Sequence, residues 1–185
     1  MKTIIKMKTI KFLALLFISI LTFSSCSNDD NESENEEELI TDVIYTLTDG
    51  TSSIVMTYTD TDGQGGAVGT YTVVGTLSAN STYTGSIRLE NSTENPVENV
   101  TEEIEEEKDE HEFFYGNTAG LTITKTDVDS NGYPVGLSTS IATGAAGSGT
   151  INIVLKHMPS KPNDGTAAGA GGSTDFDVTF NVTVQ

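Results

Sequence analysis

Seven stretches of this chain alternate an apolar residue with Thr, Ser, Asn or Asp, and that period of two leaves few folds open. The stretches are residues 42–48, 54–59, 70–76, 83–89, 121–124, 149–157 and 175–184. Successive side chains of a strand point to opposite faces, so such alternation marks strands with one buried and one wetted face. The residues used, chiefly Thr, Val, Ile and Tyr, suit a pleated surface. Between the stretches stand Asp49-Gly50, Asp62-Gly63, Asn131-Gly132 and Asp164-Gly165, the dipeptides that close tight turns. The pattern predicts an all-β fold for residues 39–185, an antiparallel β-sandwich of immunoglobulin-like type with eight or nine short strands. The chain holds one cysteine and no tryptophan, so the buried disulfide and Trp of antibody domains are excluded. The Gly/Ala-rich stretches 144–149 and 165–172 read as loops.

One segment departs from this rhythm. Asn95-Pro96 offers an N-cap followed by proline at the first helical position, and Val97, Val100 and Ile104 then share one helical face. A short amphipathic helix over 96–108 is predicted, its other face almost wholly glutamate. Residues 110–115 follow as a further strand.

The first 25 residues are of a different kind. Lys2, Lys6, Lys8 and Lys11 precede an apolar run over residues 12–23, and the first acid is Asp29. A basic start and about a dozen apolar residues read as a secretory signal, because a spanning helix needs about 20. The residues Phe23-Ser24-Ser25-Cys26 resemble a bacterial lipobox, which implies cleavage before Cys26 and its lipidation. Residues 26–38 are polar and acidic and read as a disordered tether. An acidic run behind a lipidated cysteine resembles the export signal of surface lipoproteins, so the expected location is the outer membrane, lipid-anchored and exposed at the cell surface. The whole chain carries 27 acids against 9 bases, and residues 26–185 keep every acid with only 5 of the bases. A surface this negative has no basic stripe for nucleic acid.

Two clusters attract attention as sites. Ten acids and one base lie between Glu94 and Glu112. In a continuous helix many of these acids would repel at i,i+4, at about 0.2–0.5 kcal/mol a pair, and a cation would relieve the strain. The chain's only two histidines, His111 and His157, fall at the start of one predicted strand and the end of another. If those strands pair antiparallel, both imidazoles reach one rim, where Glu106, Glu110 or Glu112 would complete a site for zinc or another transition metal. The alternative is a pair of ordinary rim histidines beside a solvated acidic face. The second cluster is Asp127-Val128-Asp129-Ser130-Asn131-Gly132, with oxygen donors at Asp127, Asp129 and Asn131 and glycine sixth, as in the first half of a calcium loop. Ser138 stands where an EF-hand needs a bidentate glutamate, so only a looser calcium site is open, beside the plainer reading as a hairpin turn. No nucleophile elbow accompanies the histidines, and no enzymatic activity is expected.

The segments Asp109-Glu110-His111-Glu112-Phe113-Phe114 and Leu155-Lys156-His157-Met158-Pro159-Ser160-Lys161, with the 127–132 loop, resemble a small group of uncharacterised Bacteroidota outer-membrane lipoproteins. That group is similar to accessory lipoproteins of TonB-dependent transporters. The resemblance implies a membrane partner reached through the lipid and an outer-membrane transporter served by the domain. The leading expectation is a non-enzymatic binding module that captures a divalent metal. The competing one is a structural or adhesion-type sandwich stabilised by calcium.

Overall fold

A computed structural model of the chain describes residues 38–62 and 68–185. The expected signal segment, Cys26 and most of the expected tether lie outside the described residues. Among the described residues there are nine strands and two short helices: β1 (Asp42–Thr48), β2 (Ser53–Thr59), β3 (Thr70–Val74), β4 (Thr82–Glu90), α1 (Val100–Glu106), β5 (His111–Asn117), β6 (Thr122–Lys125), β7 (Ser138–Ala142), β8 (Gly147–His157), α2 (Ala167–Ala170) and β9 (Ser173–Val184). They form two antiparallel sheets, one of order β3-β2-β1-β4-β7-β6 and one of order β5-β8-β9. The all-β sandwich expected from the alternation is the architecture observed.

The core lies between the sheets and is built from the inward half of each alternating strand. Tyr45 and Leu47 of β1, Tyr83 and Leu89 of β4, Phe113 of β5, Ile151, Ile153 and Leu155 of β8, and Val178, Phe180 and Val182 of β9 form one buried cluster. At its centre the Tyr45 and Thr139 hydroxyls share a hydrogen bond of 2.6 Å, which satisfies two polar groups that burial would otherwise leave without water. Gly85 faces this pair, and a Cβ there would run into Thr139 and Tyr45. A smaller cluster of Phe114, Val154 and Ala170 covers the outer face of the three-stranded sheet.

The acidic helix is shorter than its sequence pattern suggests. Asn91 and Glu98 exchange both backbone hydrogen bonds, at 3.1 and 3.2 Å, which holds residue 98 extended, and α1 begins only after Asn99. Asn95-Pro96 is a cis peptide and not a helix start, and Val97 is 52% exposed. Val100 and Ile104 supply the buried face. With the helix confined to seven residues, most of the predicted like-charge pairs never form. The strand β7 was absent from the alternation, and the stretch 144–149 is partly strand, since β8 opens at Gly147. The 165–172 stretch holds the single turn of α2, capped by the Thr166 hydroxyl accepting from the Gly169 amide.

Candidate metal centre

The register of the smaller sheet decides which site residues meet. β5 and β8 pair antiparallel with His111 directly opposite His157. Cross-strand partners point to the same face, so the two imidazoles meet at the end of the sheet, stacked with ring centroids 4.5 Å apart and planes inclined by 26°. Both are buried. A third group closes over them: Glu38 Oε1 lies 3.3 Å from His111 Nε2. Glu38, His111 and His157 each present one donor atom, and these atoms lie within 4.8 Å of one another. The three side chains could hold a metal ion.

The hydrogen bonding around His111 shows which atom is offered. Its Nδ1 stands 3.2 Å from the Glu107 carbonyl oxygen. A carbonyl can only accept, so Nδ1 carries the hydrogen, and in the neutral ring Nε2 is left with its lone pair towards Glu38. A backbone carbonyl orienting one ring nitrogen while the other faces a carboxylate is the usual outer support of a metal-binding histidine. Glu38 Oε2, His111 Nε2 and His157 Nδ1 are all buried and make no hydrogen bond. A buried polar atom left without a partner normally costs about 1–3 kcal/mol, and a bound cation or a proton would remove that cost.

Distances fit a tetrahedral ion on one edge and need adjustment on another. Zinc–ligand bonds of about 2.0–2.1 Å place tetrahedral ligand atoms roughly 3.3–3.4 Å apart. The Glu38–His111 pair already has that spacing. The three ligand atoms together lie within 4.8 Å of one another, so a tetrahedral ion would call for a modest adjustment of the stacked pair. The Nε2 of His157 lies 3.7 Å from Glu110 Oε2, on a half-exposed side chain.

The local field favours a cation. Burial pushes the His111 pKa down, but the contact with Glu38, the Glu107 carbonyl and the charge of Asp175 outweigh it, and the net shift is upward. Burial likewise pushes Glu38 up, and its contact with His111 carries the net shift downward. Glu103, on α1, is raised by burial and then by the nearby charges of Glu38, Glu107 and Glu98. Acids thus lie close to the two rings, and a proton and a metal ion would compete for the same nitrogen.

Of the expected ligands, His111 and His157 converge and Glu110 lies beside them. Glu112 does not join, because strand alternation turns it to the opposite face, where it pairs with Lys125 at 2.5 Å. Glu106 is exposed in the last turn of α1 and stays outside the cluster. Glu38, the last residue of the expected tether, is instead buried against His111, and only its place as the last acid before β1 marks it in the sequence.

The 127–132 loop is spoken for by the protein itself. Asp127 accepts from the backbone amides of Gly136, Leu137 and Ser138. Asp129 Oδ1 accepts from the amides of Asn131 and Tyr133, and Oδ2 accepts from the Lys161 ammonium at 3.1 Å. Burial raises the Asp129 pKa, but these bonds and the lysine outweigh it and hold it below its ordinary value. The carboxylates expected to ligate calcium therefore fold a turn and receive a lysine, and Asn131 enters through its backbone amide. Comparison with family models, with the curated proteins and with solved structures returned no match, so the reading of this centre rests on its own geometry.

Proposed function

We propose that this chain is a lipid-anchored cell-envelope module that captures a divalent transition metal through Glu38, His111 and His157 and passes it to an outer-membrane transporter. The observation that carries the metal-binding part is the in-register histidine pair with a buried carboxylate against it, all three presenting orphaned atoms. Two imidazoles and one carboxylate form the donor set of zinc sites that keep one position open, and nitrogen donors disfavour calcium. An open fourth position suits a carrier, since an incoming ligand can draw the ion out. The envelope location is supported by the basic-apolar start and the lipobox-like residues 23–26, and the transporter by the resemblance those lipoproteins bring.

Calorimetric titration of the purified protein with zinc, copper and calcium tests the metal site. One zinc or copper ion should bind per chain and raise the unfolding temperature, by about 2.7 kcal/mol of stabilisation when free metal is 100 times Kd. His111→Ala and His157→Ala should each weaken binding by more than the 10–100-fold typical of losing an outer-shell partner, and Glu38→Gln by a comparable factor. Stabilisation by calcium alone, unchanged by loss of both histidines, would overturn the reading.

A further inference from the structure

The outer face of β5 carries a second constellation that the metal centre does not use. Glu112, whose side chain is 5% exposed, holds a basic and an amide group on its two oxygens. Lys125 Nζ of β6 donates to Oε1 at 2.5 Å, and Asn163 Nδ2 donates to Oε2 at 2.7 Å. The ammonium also sits 4.4 Å from the centre of the Phe114 ring. Around these groups lies a cleft of about 400 Å³ walled by Ile123, Tyr133, Pro134 and Pro162. An exposed Lys–Glu pair would be solvated; this one stands against an aromatic ring and carries an amide on the same carboxylate.

We infer that Lys125, Glu112 and Asn163 form a site for an intramolecular isopeptide bond, in which the Lys125 amine condenses with the Asn163 carboxamide. Glu112 takes a proton from the Lys125 ammonium, and the freed Nζ lone pair attacks Asn163 Cγ. The charge that develops on Oδ1 falls on an atom already accepting the Gly165 amide at 2.8 Å, a donor in place before the reaction. The Cγ–Nδ2 bond then breaks. Two of the three Nζ protons travel through Glu112 to Nδ2, which leaves as ammonium, and Glu112 returns to carboxylate. One amide replaces another, so no oxidant, cofactor or energy source is required. Burial lowers the Lys125 pKa, although Glu112 opposes it, and the nearby Lys161 acts in the same direction as burial.

The bond would join the edge strand of the six-stranded sheet to the segment that follows β8 of the three-stranded one. It shares no side chain with the metal site, since Glu112 points to the face of β5 opposite His111 and Lys125 and Asn163 come from β6 and the segment after β8.

Peptide mapping of the purified full chain decides the matter. Tryptic digestion under denaturing conditions should yield a branched peptide joining Lys125 to Asn163, lighter than its two arms by one ammonia, with no cleavage after Lys125. Lys125→Arg and Asn163→Ala should give only linear peptides, and Glu112→Gln should lose most of the branched product. Linear peptides with free Lys125 and unmodified Asn163 in the wild-type protein would overturn the inference, whatever the variants do. A Glu112→Gln chain as fully branched as wild type would overturn the role of the carboxylate.

Discussion

At the scale of single residues, burial has been made tolerable by hydrogen bonds that sequence does not advertise. Asp42 opens β1 and is 8% exposed. Its carboxylate accepts from the hydroxyls of Thr41, Thr59 and Ser92, at 2.9, 2.7 and 2.5 Å. Burial pushes its pKa up, but the three hydroxyls outweigh it and the net shift is downward. A carboxylate whose folded pKa is depressed contributes stability above its unfolded value, here 3.8, and loses that contribution as pH falls through the folded pKa. Asp42→Asn should cost about 1–3 kcal/mol at neutral pH, where hydrogen bonds to a charged group are lost. Denaturant midpoints measured from pH 7 down should also show a shallower acid loss for the variant. The same residue-scale logic applies to Glu38, whose burial against His111 comes from contacts distant in sequence. An acid that ends a run of acids carries no mark of the ring it will meet.

At the scale of elements, periodicity predicted well wherever packing and local pattern agree. The alternation over residues 42–48 predicts a strand, and β1 has the same bounds. The pairing of His111 with His157 followed from two strand ends and one assumption of antiparallel pairing. Periodicity failed where backbone pairing overrode it. Val97, Val100 and Ile104 fit one helical stripe, yet the Asn91–Glu98 bridge removes the first of them from the helix. Sequence cannot show a bridge between two loop residues. The difference is measurable: Ile104→Ala should cost about 2–5 kcal/mol of unfolding free energy, as for other buried truncations. Val97→Ser should stay within about 0.5 kcal/mol, as an exposed substitution does. β7 was invisible because its five residues hold a single large apolar side chain, Ile141, and it exists through pairing with β4 and β6.

At the scale of the whole folded body, the segment after β8 acts as a strap across the end of the sandwich. Lys161 anchors it: the ammonium donates to the carbonyls of Lys108 and His111 at 2.7 and 2.8 Å, and to Asp129. Both members of the ion pair are nearly inaccessible, with side-chain exposures of 6% and 0%. Lys161→Met should therefore cost about 3–5 kcal/mol, because it strands a buried carboxylate, and chemical denaturation would register the loss. The strap reaches the histidine pair through the His111 carbonyl and places Asn163 beside Glu112, so it is not legible in the sequence as one feature. Its residues lie far from their partners along the chain, and no periodicity links them.

The parity of β5 has one more consequence. A slip of β5 by one residue against β8 would carry the Glu112 carboxylate into the apolar interior and turn His111 and Phe113 outward. An unpaired charge in that position is a far heavier penalty than a misplaced valine. The two polar faces of β5 therefore guard against misthreading, whatever else they do. A folding chain that finds the wrong frame is rejected by the same side chains that make the right frame useful.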